Sequence, residues 1–424
     1  MKKKLAPLGL LLLPILTVAA IACGGDSDAE TVAPTETAQV ASDPSPTVEP
    51  TSTAEPTSEP ASTPVARRMV SEAPSIIREA PELTGLGRWI NSEPLTIASQ
   101  RGNVVLIDFW TYTCVNCIRT LPYLRSWQDK YADSGLVIIG VHAPEFDFEK
   151  DYDNVLNAVG EFGIKYPVAQ DNDFGTWRAY ENRFWPAKYI IGKDGNVRYT
   201  HFGEGAYDET EQTIRALLEE AGADLSAISV DTAPAPVSDP SARVRDSNVS
   251  LTRELYAGYE RNLMAIQGGS SPYILHREYY DAPDVGVEYE DPGSHRNHFL
   301  YLNGLWKNTS ESVVHARETE DFGDYIALMF YATSVNVVMG FVTGSSYEVR
   351  LTLDEKPVDP KQAGRDVIYD DEGNSFVVVD GASMYRLIDQ PVFAGHELKL
   401  SSTSSEFTVF AFTFGAYQGG EPSS

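Results

Sequence analysis

The sequence predicts two folded domains, an α/β domain followed by an all-β domain. Between residues 73 and 225, buried strand patterns alternate with amphipathic helix patterns, which is typical of a sheet with helices on both faces. Between residues 251 and 418, many short β-runs, several with a period of two, predict an antiparallel sandwich or jelly roll. The chain has 424 residues, a length that allows two or three domains.

Composition and charge exclude some classes of protein. The chain has 33 Lys and Arg against 61 Asp and Glu, so its formal net charge is -28. A nucleic-acid-binding protein needs clustered cations to displace the counterions of phosphates, so nucleic acid is excluded as a partner. The apolar fraction of 42% is sufficient for sizeable hydrophobic cores.

The N-terminus has the pattern of a signal peptide. Three lysines follow Met1, residues 5–21 are mostly apolar, and small residues precede Cys23. The cysteine in this position resembles the lipobox of bacterial lipoproteins, a family in which that cysteine becomes the lipid-bearing N-terminus. The resemblance implies a signal peptide over residues 1–22 and an extracytoplasmic chain anchored to the cell membrane through Cys23. A plain secretory signal and an N-terminal membrane helix are the alternatives, although the apolar stretch is shorter than the roughly 20 residues of a span.

Three segments lack the apolar side chains that a packed core needs. Residues 23–72 are rich in Thr, Pro, Glu, Ser and Ala, and such a composition predicts a disordered, extended stalk. Residues 226–250 contain several prolines and predict a linker between the domains, and residues 419–424 form a tail.

The α/β domain is predicted element by element from its hydrophobic periodicity. Continuous apolar runs predict buried strands, apolar residues at helical spacing predict helices, and Asp194-Gly195 predicts the turn of a hairpin. The predicted strands are 104–110, 136–141, 187–191 and 196–202, and the predicted helices are 116–131, 153–162, 174–181 and 209–221.

A C-x-x-C motif, Cys114 and Cys117, lies between the first buried strand and its helix. A cysteine at a helix N-terminus is stabilised as a thiolate by the exposed amides and the helix dipole. Cys117, one turn further on, can then attack a mixed disulfide formed at Cys114, as dithiol–disulfide exchange requires. Half a zinc site and an inert structural disulfide are the alternatives. A zinc site would need further ligands, and the sequence has no other C-x-x-C. A structural disulfide would close so small a loop that it would stabilise the fold little.

The motif and its surroundings resemble a known family. Residues 106–117, LIDFWTYTCVNC, look like the active-site segment of the thioredoxin superfamily. Residues 110–122, 140–146 and 185–187 resemble more closely the soluble thioredoxin-like region of DipZ-type proteins, which are akin to the TlpA and ResA extracytoplasmic reductases. This resemblance spans about residues 80 to 222. It implies a protein disulfide reductase without a cofactor, because the dithiol is itself the redox group.

The resemblance also implies partners. They are extracytoplasmic proteins with disulfides or thiols, and a separate membrane electron donor of the CcdA or DsbD type, because this sequence shows no counterpart of the multi-span domain of DipZ-type chains. A peroxiredoxin-like antioxidant is an alternative, but of the P-x-x-x-T-x-x-C pattern only Thr111 matches, since position 107 is isoleucine.

Three further site residues come from the resemblance. Asp108 matches the buried aspartate that relays the proton of the resolving thiol, with a loop-capping carboxylate as the alternative. Pro186 matches the cis-proline beside the dithiol, which lets Trp185 pair with a substrate strand; an ordinary trans proline is the alternative. Glu145 is a weaker candidate acid, or else a solvated loop carboxylate, and His142 is interpreted as a core or surface histidine.

The all-β domain resembles the C-terminal domain of DipZ-type proteins, a sandwich similar to carbohydrate-binding modules. Residues 305–306, 349–354 and 410–415 carry this likeness, and residues 251–265 are predicted to form one short helix. Two roles are open: docking or rigidifying the first domain, or binding a glycan through exposed aromatic side chains. The second would make the chain a glycan- or partner-binding surface lipoprotein with an adaptor thioredoxin-like domain. The candidate stacking residues are Trp306, Tyr273, Tyr279 and Tyr280, with a position in the core of the sandwich as the alternative. The pair His295 and His298 has a spacing that a metal could use, or else the two are ordinary histidines of a polar loop.

Overall fold

The computed structural model describes residues 78–230 and 248–418, together with Ser238, Asp239, Ala242 and Asp246. The predicted signal peptide with Cys23, the stalk and the tail lie outside the described residues. Every helix within the described ranges is either too short or too polar to cross a membrane.

The first domain is an α/β domain built on one mixed sheet. Within the described residues, seven strands form this sheet in the order β1-β7-β6-β3-β4-β5-β2. The central strand β3 is parallel to β4 and antiparallel to β6. The strands are β1 (Arg78–Glu79), β2 (Trp89–Ile90), β3 (Val104–Trp110), β4 (Leu136–His142), β5 (Val168–Gln170), β6 (Ala187–Ile191) and β7 (Asn196–Phe202), and the helices are α1 (Val115–Tyr131), α2 (Tyr152–Glu161), α3 (Gly175–Ala179) and α4 (Tyr207–Glu220).

Alternating residues of β3 supply two separate cores, one on each face of the sheet. Leu106 and Trp110 pack under α1 with Trp127, whereas Ile107 and Phe109 face the opposite layer. All seven residues of β3 are buried, which confirms the continuous apolar run as a central strand. The four predicted helices are present with ends shifted by a few residues, while the short strands β1, β2 and β5 were not predicted.

The second domain is an all-β domain whose main sheet closes on itself. Its strand β12 pairs with β10 near its start and with β17 through its second half, and β11 joins β10 to β17. The elements are β8 (Leu255–Tyr256), α5 (Tyr259–Gln267), α6 (Glu278–Asp281), β9 (Gly286–Tyr289), β10 (Tyr301–Asn308), β11 (Val313–His315), β12 (Tyr325–Gly340), β13 (Tyr347–Leu353), β14 (Ile368–Tyr369), β15 (Ser375–Val379), β16 (Ser383–Ser401) and β17 (Thr408–Gly415).

Two features of the all-β domain differ from the sequence prediction. The single helix predicted over 251–265 is wrong, because Leu255 and Tyr256 pair with β17 and the helix α5 begins only after Gly258. A side chain at Gly258 would collide with the backbone of Glu311, so the chain turns there at a residue without a Cβ. The strands β12 and β16, with 16 and 19 residues, are longer than the short runs that the sequence predicts, and irregularities after Ala332 bend the pair without ending it.

The two domains belong to one compact unit and contact each other at the start of α1. Val115 and Ile118 of α1 form a buried apolar cluster with Val338, Met384 and Ala411 of the all-β domain. We call this cluster the interdomain patch. Its position brings the second domain next to the C-x-x-C motif.

Candidate active site

The fold places Cys114 at the N-cap of α1, directly after the loop that leaves β3. Its backbone is extended (φ -77°, ψ 110°), and its Sγ accepts a hydrogen bond of 3.2 Å from the amide of Cys117. A sulfur in this position lies next to the backbone amides of the first helical turn, which have no partner within the helix. Such amides stabilise a negative charge. Cys114 is partly exposed and both thiols are free.

Cys117 is the inner member of the pair. Only 1% of its surface is exposed, and it packs in the core between β3 and α1. Burial raises the pKa of the Cys117 thiol well above its usual range, and its hydrogen bond with Cys114 raises it further. The resolving thiol therefore stays protonated until a nearby group accepts its proton.

Asp108 lies on β3 behind the dithiol, as the sequence predicts. Its carboxyl is 1% exposed, and within the described residues its Oδ1 has no hydrogen-bond partner. Burial raises the pKa of Asp108 to about 7, against the lowering effect of Lys188. A buried carboxyl with a pKa near neutrality can accept and release a proton at working pH, so the proton-relay role fits better than a loop cap.

We expect the raised pKa of Asp108 to appear in the pH dependence of stability. A carboxyl with a pKa of 3.8 unfolded and about 7 folded binds more protons in the folded state between those values. The reduced protein should therefore lose about 3 kcal/mol of stability from this residue as the pH rises from 4 to 7.

Urea unfolding of wild type and Asp108→Asn across this pH range measures the loss. The variant should show a flatter profile, whereas Asp133→Asn, at an exposed aspartate of the same domain, should follow the wild type. Parallel profiles for wild type and Asp108→Asn would contradict the expectation.

The segment Trp185–Pro186 leads into β6, the strand that pairs with β3. The peptide bond between the two residues is cis, as the resemblance implies. Trp185 Nε1 donates to the carbonyl of Ala143 at 3.0 Å, and its ring packs on Trp177 with centroids 4.3 Å apart. Trp185 and Cys114 both pack against the core between the sheet and α1.

Glu149 is a site residue that the sequence analysis missed. Its carboxylate is fully buried and accepts hydrogen bonds from Thr113 Oγ1 at 2.5 Å and from the amide of Phe146 at 3.0 Å. It therefore fixes the residue that precedes Cys114. Glu149 falls in the polar run DFEK, whose composition predicts an exposed loop, so no periodicity revealed it.

Glu145 and His142 have partners other than the two cysteines. Glu145 binds Arg261 of the all-β domain at 2.8 Å and accepts from Tyr256 at 3.0 Å, and burial raises its pKa to about 7. It is thus an interdomain ion-pair residue, and the alternative of a solvated carboxylate is wrong. His142 is a core residue whose Nε2 lies 3.3 Å from Thr111 Oγ1.

The aromatic residues proposed to stack on sugars are mostly internal. Trp306 and Tyr279 are fully buried, which confirms the alternative of a core position for both. Alternation along β10 turns Trp306 inward, where its Nε1 donates to the carbonyl of Asn303 at 2.8 Å. Tyr273 and Tyr280 are partly buried, and the Tyr280 hydroxyl donates within the domain.

The two histidines with metal-like spacing have separate partners. His295 lies between the carboxylates of Asp291 (2.8 Å) and Glu397 (2.7 Å), whereas His298 accepts from the amide of Arg253 at 3.1 Å. Across the described part of the chain, no group of three or more His, Cys, Asp or Glu is arranged to hold a metal ion.

Comparison with known proteins identifies the family. Residues 79–218 match the family model described as Redoxin, and residues 252–415 match the one described as Thioredoxin like C-terminal domain. The thiol-disulfide oxidoreductase YkuV of Bacillus subtilis is 30% identical over 140 residues, which are 33% of this chain and 94% of YkuV. The chain belongs to the thioredoxin-like thiol-disulfide oxidoreductases.

Two further relatives match this oxidoreductase over different shares of their own length. Protein DipZ of Mycobacterium tuberculosis is 38% identical over 282 residues, which are 66% of this chain but only 37% of DipZ. ResA of Bacillus thuringiensis is 27% identical over 128 residues, which are 30% of this chain and 71% of ResA. The match with DipZ is longer than either domain of this chain, so the similarity continues beyond the domain that carries the dithiol.

Proposed function

We propose that this oxidoreductase is a protein disulfide reductase that acts through the Cys114–Cys117 dithiol outside the cytoplasm. The observation that carries the proposal is the asymmetry of the two sulfurs. Cys114 is partly exposed at a helix N-cap, whereas Cys117 is buried beside a carboxyl with a pKa of about 7. An exposed nucleophile with a buried resolving thiol is the arrangement that exchange with a protein disulfide needs.

The reaction has two steps that balance. The Cys114 thiolate attacks one sulfur of a client disulfide; a mixed disulfide forms, and the other client sulfur leaves as a thiolate and takes a proton from water. Cys117 then passes its proton to the Asp108 carboxylate, and its sulfur attacks Sγ of Cys114. The Cys114–Cys117 disulfide forms, the second client thiolate is released, and two electrons have moved to the client.

Insulin reduction with dithiothreitol as the electron source tests the proposal. Wild type should accelerate the precipitation of insulin chains, and Cys114→Ser should lower the rate to that of dithiothreitol alone. Glu219→Ala, on the exposed side of α4, is the matched control and should retain the wild-type rate. Equal rates for wild type and Cys114→Ser would overturn the proposal.

The location outside the cytoplasm is proposed from the N-terminal sequence. Small residues before Cys23 form the lipobox-like pattern, so we propose a lipid anchor at Cys23 and a separate membrane donor of the CcdA or DsbD type. Metabolic labelling with a palmitate analogue in a bacterial host should mark the wild type and not Cys23→Ala. Labelling of both would contradict the anchor.

A further inference from the structure

Three titratable side chains form a row across the sheet beneath the dithiol. Asp108 of β3 is directly opposite Lys188 of β6, and Lys188 is directly opposite His201 of β7. Directly opposed residues point to the same face with their Cβ atoms roughly 5 Å apart. This face carries Cys117, because Ile190, two residues after Lys188, packs in the same core as Cys117.

Lys188 is buried at a cost that hydrogen bonds do not offset. Its side chain is 0% exposed, and within the described ranges its Nζ has no hydrogen-bond partner. The nearest aromatic ring that faces the ammonium is that of Tyr207, with its centroid 5.8 Å away. Burying an ammonium is expensive unless an opposite charge compensates it, and Asp108 is the carboxylate placed opposite.

Each element around Lys188 contributes a titratable group. Burial lowers the pKa of Lys188, while the negative charges of Asp108, of Cys117 on α1 and of Glu204 before α4 raise it. The positive charge of Lys188 opposes the rise that burial causes in the pKa of Asp108. The pKa of His201 is lowered by burial and lowered further by Lys188. Two phenols also face this region: Tyr207 at the start of α4 and the fully buried Tyr166, whose pKa the charges of Asp108 and Cys117 raise. Asp108 and Cys117 are the two anions that the resolving step interconverts, and both act on the same ammonium.

We propose that Lys188 is a positioning residue of the exchange reaction, whose buried ammonium balances the single negative charge that passes between Asp108 and Cys117. The inference rests on the proposed function. When the mixed disulfide is resolved, the proton of Cys117 moves to the Asp108 carboxylate, and the negative charge moves to the Cys117 sulfur. Lys188 lies beside the proton donor Cys117 and the proton acceptor Asp108. The site therefore contains one negative charge, balanced by the ammonium, both before and after the proton transfer.

A small aromatic disulfide that releases a coloured thiolate separates the two steps. Mixed with the reduced full chain carrying Cys23→Ser, it releases one thiolate when Cys114 attacks and a second when Cys117 resolves. Stopped-flow absorbance between pH 5 and 9 then follows both phases in the wild type, Lys188→Met and Lys188→Arg.

We expect Lys188→Met to slow the second phase about tenfold at pH 7 and to move its pH midpoint up by about one unit, because an opposite charge at this range shifts a pKa by roughly that much. The first phase should change less than twofold. Lys188→Arg, which keeps the charge, should retain the wild-type midpoint, and Ile190→Val, a packing change on the same strand, should also leave it in place. In an Asp108→Asn background, Lys188→Met should shift the midpoint less than it does in the wild type, because Lys188 then acts on Cys117 alone.

A Lys188→Met protein that is folded by thermal melting and has the wild-type second phase would overturn the role of Lys188 alone. A lysine that matters only for packing would alter the melting temperature and leave the midpoint unchanged. Should Lys188→Met not fold, Lys188→Gln provides the same loss of charge with a polar side chain. A wild type without any first phase would overturn the proposed function and this inference with it.

Discussion

Replacement of Cys117 by serine is expected to trap clients on the protein as stable mixed disulfides. Cys114 remains a partly exposed thiol at the N-cap of α1, so the first attack proceeds. The serine cannot attack the mixed disulfide, and its release then depends on external thiols at millimolar concentration. Because a resolving group held one helical turn away has a very high effective concentration, turnover should fall by about a thousandfold or more.

Non-reducing gel electrophoresis of the full chain carrying Cys23→Ser, after mixing with oxidised insulin, measures the trap. Cys117→Ser should show a slower-migrating adduct that dithiothreitol removes, and the double variant Cys114→Ser, Cys117→Ser should show none. The wild type should pass through the adduct without accumulating it. An adduct that forms in the double variant would assign the attack to a residue other than Cys114.

Replacement of Trp306 by alanine should be among the most destabilising single changes in the all-β domain. The indole is fully buried, donates to Asn303 and packs against Phe407 with ring centroids 5.4 Å apart. Removal of a buried tryptophan leaves a cavity and an unpaired carbonyl, which together cost about 3–5 kcal/mol of unfolding free energy.

Urea unfolding followed by far-ultraviolet circular dichroism measures this loss. The matched control is Val392→Ala on β16, where the side chain is 66% exposed, and it should change stability by less than about 0.5 kcal/mol. A loss below about 1 kcal/mol for Trp306→Ala would show that the indole does not carry the packing described here.

The α/β domain was predictable because its signals are local. The apolar run of β3 and the helical spacing after Cys117 determine both elements, and the C-x-x-C between them places the dithiol at a helix N-terminus. The roles of Lys188 and Glu149 depend on contacts that no single segment contains. Lys188 occupies one position of a short apolar strand, and only its register against β3 places it opposite Asp108.

The all-β domain was predictable as a class and not in detail. Short alternating runs predict strands, but periodicity does not tell which face of a strand is buried when both layers contain aromatic residues. Trp306 was therefore open to either sugar stacking or a core position, and the fold places it in the core. The helix predicted over residues 251–265 failed for a different reason, because tertiary pairing of Leu255 and Tyr256 with β17 overrides local propensity.

The interdomain patch has a consequence for how clients are chosen. Val115 and Ile118 are 3% exposed because the second domain covers them, so these apolar neighbours of Cys114 are unavailable to a visiting polypeptide. The second domain thus occupies the apolar surface that the first turn of α1 would otherwise offer. We therefore expect a client to reach Cys114 without apolar contacts to the first turn of α1.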